Sequence, residues 1–360
     1  MKKTPLYNIH EALGAKIIDF GGFLMPVQYE GVNAEHEAVR NSVGVFDVSH
    51  MGEFYCEGPD AEALLQKITT NDVSKLVPGK AQYTCMPNEK GGIVDDLLIY
   101  KLAENRYLLV VNASNIDKDW NWINKHVSGD VKLSNASDDF ALLAVQGPKA
   151  SYALQSLTDT DLDSIKFYSF TLGDFAGEPN VIISATGYTG AGGFELYVPA
   201  KSAEAVWNKV MESGAKVDIK PCGLAARDTL RLEMGYCLYG NDITDETSPL
   251  EAGLGWITKF STDFIAKDIL EKQKEEGVGR KLVGLELIDK GIARKDYPVI
   301  DLNGNKIGFV TSGTMSPTLK KAIAMAYVSK DFSSEGSEVF IEVRNKHLKA
   351  RVVKFPFLKA

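Results

Sequence analysis

The sequence has few of the residues that build metal centres and disulfide frameworks. Its 360 residues include four cysteines and five histidines. The cysteines are scattered without a C-x-x-C pair, which is typical of reduced thiols in a cytoplasmic protein. No histidine stands i, i+4 from another histidine or from a cysteine, so we expect no dedicated metal site. The cysteines are Cys56, Cys85, Cys222 and Cys237.

Long apolar runs and an excess of positive charge are also missing. No stretch approaches the roughly 20 apolar residues of a membrane helix. Lys2 and Lys3 are not followed by the apolar region of a signal peptide. The net charge of −8 argues against coating of nucleic acid and against a polybasic membrane anchor. Composition therefore predicts a soluble, cytoplasmic protein without nucleic-acid or membrane partners.

The familiar cofactor and nucleophile motifs are absent as well. The glycine-rich stretch 186–195 joins two predicted strands and opens no helix, so it lacks the helix N-terminus of a dinucleotide fingerprint. There is no Gly-Lys-Ser/Thr phosphate loop, and no serine stands in a G-x-S-x-G elbow. From pattern alone, the stretch is as well explained by a hairpin that glycines make tight.

Short strands alternate with helices up to about residue 276. The order strand, helix, two or three strands, helix, strand occurs twice, which predicts two α+β subdomains of the ferredoxin-like kind. From residue 281, closely spaced short strands with turn signals predict a small barrel or sandwich, with a boundary near 276–280. Helices are predicted over residues 33–42, 60–68, 116–126, 149–157, 203–212, 222–234 and 264–276.

Two adjacent carboxylates stand in the middle of a predicted strand over residues 91–100. Strand side chains alternate between faces, so Asp95 shares a face with Ile93, and Asp96 shares the other with Val94. Both faces are otherwise apolar, which indicates an inner strand and at least one partly desolvated aspartate. The pattern favours a structural role for the pair and leaves a chemical one open, since buried carboxylates require partners.

Further polar and aromatic residues stand at strand ends and on one helix. Singly, each has an ordinary structural interpretation: rim aromatics, a surface ion pair, a turn former. They are Tyr83, Asp96, Asn112, Tyr188, Glu195, Arg227 and Tyr236.

Taken together, motifs spread over nearly the whole chain resemble the T-protein family of the glycine cleavage system, whose members are aminomethyltransferases. They occur in the family's order and with similar spacing, which makes the resemblance far more specific than any one motif. The motifs are Phe46-Asp47-Val48-Ser49-His50-Met51-Gly52, Thr70-Asn71-Asp72, Gly91-Gly92-Ile93-Val94-Asp95-Asp96-Leu97, Gln146-Gly147-Pro148, Thr186-Gly187-Tyr188-Thr189-Gly190, Gly193-Phe194-Glu195, Ala226-Arg227-Asp228, Thr311-Ser312-Gly313 and Ser316-Pro317-Thr318-Leu319.

The resemblance implies an α+β, three-domain cloverleaf around a central folate pocket, with two mixed α/β subdomains and a C-terminal β-barrel. The expected division is a discontinuous folate-binding domain of residues 1–52 and 138–276, a second subdomain of residues 53–137 that carries the catalytic aspartate, and a barrel of residues 277–360. The implied reaction passes a methylene carbon from the aminomethylated lipoyl arm of the H-protein to tetrahydrofolate, with release of ammonia and without a metal. We expect a monomer.

Residue roles follow from the same resemblance. Asp96 matches the family's catalytic aspartate, and Glu195 matches the carboxylate that accepts two N–H donors of the reduced pterin. The remaining residues match positions that contact folate or line its pocket. They are Arg227, Tyr83, Tyr188, Tyr236, Met51 and Asn112.

Two rival functions share the fold, and the sequence departs from the family at two places. A folate-binding assembly protein would carry a Lys-Gly-Cys-Tyr motif, whereas residues 233–240 read Glu-Met-Gly-Tyr-Cys-Leu-Tyr-Gly. A folate-dependent demethylase or the folate half of a sarcosine-type oxidase would require a flavin partner. The departures are Ala185 and Ala191-Gly192, where many members carry charge, and a tail that ends soon after Phe357.

Overall fold

The computed structural model describes residues 1–344 and 346–359, which form two compact units. The first unit comprises residues 1–65, 73–83 and 97–228, and the second comprises residues 66–72 and 84–96 and the described residues from 229 onward. Asn345 and Ala360 of the expected barrel segment lie outside the described residues. Among the described residues, no helix is both long and apolar enough to cross a membrane.

Eight α-helices, eight short 3-10 helices and twenty strands make up the regular structure of the described residues. The α-helices are α1 (Tyr7–Ala12), α2 (Val32–Asn41), α3 (Ala61–Ile68), α4 (Ile116–His126), α5 (Ala150–Leu154), α6 (Ala203–Gly214), α7 (Leu224–Glu233) and α8 (Lys267–Glu276). The strands before the barrel are β1 (Lys2–Lys3), β2 (Lys16–Phe20), β3 (Phe23–Gln28), β4 (Gly44–Asp47), β5 (Gly52–Glu57), β6 (Lys80–Pro87), β7 (Ile93–Ala103), β8 (Arg106–Val111), β9 (Lys132–Asn135), β10 (Phe140–Gln146), β11 (Phe170–Phe175), β12 (Glu178–Ser184), β13 (Gly193–Pro199) and β14 (Lys220–Pro221).

A six-stranded sheet with the order β11-β12-β13-β10-β4-β14 organises the first unit. Its pairs are antiparallel, apart from the short parallel pair of β14 with β4. On β13, Phe194, Leu196 and Val198 point into an apolar core that also holds Val206 and Trp207 of α6. Because side chains alternate along a strand, Glu195 and Tyr197 point to the opposite face.

The strand that carries the two aspartates belongs to a five-stranded sheet with the order β6-β7-β8-β5-β9. β7 therefore has a partner on each side, as its apolar faces predicted. Strands β6 and β7, like helix α7, contribute residues to both units. A third, three-stranded sheet has the order β1-β3-β2.

The C-terminal strands of the second unit close into a barrel with the order β15-β18-β17-β16-β19-β20. These strands are β15 (Arg280–Leu287), β16 (Pro298–Ile300), β17 (Lys306–Met315), β18 (Ala322–Ser329), β19 (Glu338–Val343) and β20 (Lys346–Val353). Val310, Ala324 and Ile341 belong to its buried apolar core. The expected α+β class with a C-terminal barrel is thus confirmed.

The end of α7 is fixed within the second unit by a buried ion pair. Arg231 is 1% exposed; its Nη1 donates to Asp242 Oδ2 at 2.6 Å and its Nη2 donates to Ser312 Oγ at 2.7 Å. Ser312 Oγ in turn donates to Asp242 Oδ1 at 2.9 Å. Removing one partner of such a pair leaves a buried charge uncompensated, so we assign these residues a structural role.

Candidate active site

Alternation along β7 separates the two adjacent aspartates. Asp95 is fully buried, and Ile93, Leu97 and Ile99 on the same face are buried as well. Asp96 is partly exposed, as is Leu98. Solvent reaches Asp96 and not Asp95, so Asp96 is the carboxylate of the pair that a ligand can contact.

A glycine turn and a backbone clamp fix the start of this strand. Asn88 Oδ1 accepts from the Gly92 N–H at 3.0 Å, and a Cβ on Gly92 would stand 1.8 Å from the carbonyl oxygen of Asp245. The Ile93 N–H donates to the Thr244 carbonyl at 3.1 Å. The close backbone approach admits only glycine at position 92, and Gly91 has a φ of +84°, so both glycines before the strand have a structural reason.

Asp96 lies within electrostatic reach of Cys237 in the second unit. Burial first, and then the charges of Asp242 and Asp96, raise the pKa of the Cys237 thiol well above its usual range. Tyr236, another predicted site residue, directly precedes this cysteine and is partly exposed. The second unit thus holds Asp96 and Tyr236 in one neighbourhood.

Glu195 is held on β13 by a hydroxyl neighbour. Ser184 of β12 lies directly opposite Glu195 in the antiparallel register, and Thr186 follows two residues later. Thr186 Oγ1 donates to Glu195 Oε2, whereas the described residues offer Oε1 no hydrogen-bond partner. Burial raises the pKa of Glu195, while the bond from Thr186 and the charge of Arg227 lower it.

Arg227 joins Glu195 and Tyr188 in the first unit. Its guanidinium carbon lies 4.5 Å from the centroid of the Tyr188 ring, within the range of a cation–π contact. Burial first, and then the positive charge of Arg227, lower the pKa of His50 to about 3. The structure therefore brings three of the predicted residues together and adds a neutral histidine that was not predicted.

The glycine-rich connection between β12 and β13 is a hairpin loop, and the side chain of Gln146 forms hydrogen bonds with it. The Gln146 side-chain amide is buried; Nε2 donates to the Thr186 carbonyl at 3.1 Å, and Oε1 accepts from Thr189 Oγ1 at 2.8 Å. Arg40 Nη1 donates to the Thr189 carbonyl at 2.5 Å. These bonds hold the loop although Ala185 and Ala191 bring no charge to it.

The remaining predicted residues lie on separate elements. Met51 is the last residue of a turn, in which its N–H donates to the Val48 carbonyl at 3.1 Å. Tyr83 is on β6. Asn112 follows β8, and its carbonyl accepts from the Asn115 N–H at 2.9 Å. All eight predicted site residues are partly exposed, and a contribution of Met51, Tyr83 and Asn112 to binding stays a prediction.

The sequence patterns did not predict that hydroxyl side chains connect to Glu195 through hydrogen bonds. Thr186 lies in a recognised motif, Tyr197 shares the face of Glu195 on β13, and Tyr100 lies on β7. Alternation along β13 could have indicated Tyr197. The Tyr100 hydroxyl contacts the hydroxyls of Thr186 and Tyr197. These contacts depend on packing between strands far apart in sequence, so no local pattern could have predicted them.

Comparison with known proteins places this architecture in one family. Residues 6–262 match the sequence model described as the GCVT N-terminal domain, and residues 280–359 match the glycine cleavage T-protein C-terminal barrel domain. An aminomethyltransferase of Flavobacterium psychrophilum is 62% identical over 359 residues, covering 100% of both chains. One of Bacteroides thetaiotaomicron is 60% identical, again over 100% of both.

A solved structure agrees with these sequence matches. The crystal structure of the glycine cleavage system aminomethyltransferase T from Bartonella henselae superposes with a TM-score of 0.92 at 36% identity, covering 99% of this chain and 98% of that one. The chain therefore belongs to the T-protein family of the glycine cleavage system. It is a transferase of the aminomethyltransferase class.

Proposed function

We propose that this chain transfers the methylene carbon of an aminomethyl group, carried on the lipoyl arm of the H-protein, to tetrahydrofolate. The products are 5,10-methylenetetrahydrofolate, ammonia and the dihydrolipoyl carrier. Membership of the T-protein family supports the reaction class and an H-protein partner. The acceptor, the lipoylated form of the partner, a cytoplasmic location, a monomeric state and the three-domain division with a folate pocket are part of the proposal.

The observation that carries the proposal is the arrangement around Glu195. One oxygen of its carboxylate is engaged by Thr186, and the other has no partner among the described residues. A reduced pterin presents neighbouring N–H donors, which suit a carboxylate acceptor. Arg227 over the Tyr188 ring adds a flat surface with positive charge on which an aromatic ligand packs.

Asp96 is the proposed catalytic residue. Tetrahydrofolate, when bound, supplies the amine nitrogens that accept the one-carbon unit. The partly exposed carboxylate of Asp96 would hydrogen-bond to an amine and stabilise positive charge during transfer, which is electrostatic and orienting catalysis. Such preorganised charges contribute about 3 kcal/mol in well-studied enzymes. Tyr83, Met51 and Asn112 of the first unit, and Tyr236 of the second, are further residues that we propose to contact folate, because they match folate-contacting positions of the family.

Incubation of the purified protein with tetrahydrofolate and aminomethylated H-protein tests the function. We expect release of ammonia that depends on tetrahydrofolate, with matching formation of 5,10-methylenetetrahydrofolate. A matched control contains H-protein without the aminomethyl group. Absence of tetrahydrofolate-dependent ammonia from a folded sample would overturn the proposal.

A further inference from the structure

Four buried hydroxyls lead from Glu195 into the first unit. Thr186 Oγ1 donates to Glu195 Oε2, and the same oxygen lies 2.9 Å from Ser184 Oγ and 3.1 Å from Tyr100 OH. Tyr100 OH is 3.1 Å from Ser184 Oγ and accepts from Tyr197 OH at 3.1 Å. We call Thr186, Ser184, Tyr100 and Tyr197 the hydroxyl chain.

The number of protons that each hydroxyl can donate determines the donor-to-acceptor direction of the hydrogen bonds in the hydroxyl chain. Each hydroxyl has a single proton to donate and two lone pairs with which to accept. Thr186 uses its proton on Glu195, so it can only accept from its other neighbours. Tyr197 donates to Tyr100, so Tyr100 in turn donates towards Ser184 or Thr186. Each hydrogen bond from Tyr197 through Tyr100 and Thr186 is therefore donated in the direction of the Glu195 carboxylate.

Water does not compete with these bonds. Thr186 is 3% exposed, Tyr197 is 1% exposed, and Ser184 and Tyr100 are fully buried. Hydrogen bonds in such an environment are stronger than in water, and bonds in a chain polarise one another. An ionised carboxylate at one end of the chain is the group that benefits most, because bonds to charged acceptors are the strongest.

Ring packing alone does not account for the two tyrosine hydroxyls. The Tyr100 ring packs edge-on against Phe170 at 5.2 Å and against Tyr197 at 5.6 Å, and Tyr197 packs edge-on against Phe140 at 6.2 Å. Phenylalanine would make the same ring contacts without a buried polar atom to satisfy. The hydroxyls are therefore explained by the group at the end of their chain, Glu195.

We propose that the hydroxyl chain positions Glu195 for ligand binding: Thr186 fixes one carboxylate oxygen and favours the ionised form, and Tyr100 and Tyr197 orient the Thr186 hydroxyl. The second oxygen, Oε1, is thereby turned to the N–H donors of the bound folate. This inference rests on the proposed function. It makes these four residues positioning residues, since they act through Glu195.

The first test replaces the hydroxyl nearest to Glu195. Thr186→Val keeps the shape of the side chain and removes the donor, so the pKa of Glu195 rises further and the ionised fraction falls as the pH decreases. We expect KM for tetrahydrofolate to rise about ten-fold near pH 6 and less near pH 8. kcat should stay within about two-fold, because no reacting atom is touched. Thr186→Ser should restore KM.

Tyr197→Phe, at the far end of the chain, tests the same idea with less risk to folding. We expect a smaller rise in KM with the same dependence on pH. Tyr55→Phe is the matched control, because Tyr55 is a partly exposed tyrosine outside the hydroxyl chain. In a Glu195→Gln background, Thr186→Val should change KM little, since no charge remains to be positioned.

The outcomes separate the two proposals. A wild-type protein without tetrahydrofolate-dependent ammonia release overturns the proposed function. An active wild type whose Thr186→Val and Tyr197→Phe variants keep the wild-type KM at both pH values overturns the positioning role alone. The positioning role is also overturned if Thr186→Val changes KM equally in the wild-type and Glu195→Gln backgrounds. If Thr186→Val does not fold, Tyr197→Phe and Tyr100→Phe decide.

Discussion

Neighbouring carboxylates of β7 differ in the property that determines their chemistry, because solvent reaches Asp96 and not Asp95. A buried carboxylate in a sheet interior contributes to stability through its partners, and its removal leaves those partners unsatisfied. A partly exposed carboxylate can meet a ligand and respond to charge that develops on it. The pair therefore offers an internal comparison between a structural and a chemical aspartate.

We predict opposite phenotypes for the two Asp→Asn variants. Asp96→Asn should lower kcat by about a hundred-fold or more while KM for tetrahydrofolate changes only a few-fold, because the charge is lost and the shape is kept. Asp95→Asn should lower the midpoint of thermal unfolding and retain most of the turnover. Steady-state kinetics and thermal denaturation of both variants check this. Near-full turnover in Asp96→Asn would refute the catalytic assignment.

Glu53 on β5 is a buried carboxyl without a hydrogen-bond partner among the described residues. It is 1% exposed, and burial raises its pKa well above the usual range. The folded pKa lies above the unfolded one, so the folded state prefers the neutral form. The cost to stability therefore grows as the pH rises from the unfolded pKa near 4.5 towards the folded one.

Glu53→Gln should stabilise the protein at neutral pH and have little effect under acidic conditions. We expect a gain of about 1 kcal/mol or more near pH 8 that disappears below about pH 4.5, because glutamine has no charge to bury. Denaturant unfolding across this range measures it. Glu57→Gln on the same strand is the matched control; Glu57 pairs with Arg106 at 2.8 Å while partly exposed, so its effect should be small. A gain independent of pH would contradict the prediction.

At the scale of elements, sequence patterns worked where periodicity was strong and local. The helix predicted over residues 116–126 is α4, and the closely spaced short strands predicted from residue 281 are the strands of the barrel. The hairpin of β2 and β3 was missed, since Pro26 interrupts its second strand. β11 was also missed; its Gly173 weakens the pattern, and pairing with β12 supplies what its own residues do not.

For the site, too, some features could be predicted from the sequence and others could not. Alternation separated Asp95 from Asp96, and family resemblance named Glu195, Arg227 and Tyr188, which the structure brings together. Neither source could reveal the bond from Thr186 to Glu195 or the approach of Tyr100. Those contacts depend on strand register and sheet packing, which fix side-chain neighbours only in three dimensions.

The hairpin loop between β12 and β13 should depend on Gln146. Gln146→Leu preserves the approximate size of the side chain but leaves the Thr186 carbonyl and the Thr189 hydroxyl without this partner. We expect a loss of about 2 kcal/mol in stability and faster hydrogen exchange across residues 185–193. Gln155→Leu is the control for exchange, because it removes side-chain hydrogen bonds to residues 158–162 of the same unit and none to the loop. Unchanged exchange in the loop would exclude this role for Gln146.

At the scale of the whole molecule, similarity to aminomethyltransferases extends over the full length of the chain. The departures at Ala185 and Ala191 therefore fall within a shared fold. Both alanines are uncharged, and the loop is held by hydrogen bonds from Gln146 and Arg40. The substitutions are compatible with an ordered loop because its backbone and hydroxyl partners lie elsewhere in the fold.

Ligand linkage allows the binding and catalytic assignments to be tested without turnover. A ligand that binds only the folded state stabilises it by RT ln(1 + [L]/Kd), which is about 2.7 kcal/mol at a hundred-fold excess over Kd. Tetrahydrofolate should therefore raise the unfolding temperature of the wild type by several degrees. Glu195→Ala should abolish most of this shift at the same concentration, because it removes the carboxylate that accepts the N–H donors. Asp96→Asn should keep the shift, because its proposed role lies in the transfer step; a loss of the shift in Asp96→Asn and its retention in Glu195→Ala would reverse the two roles.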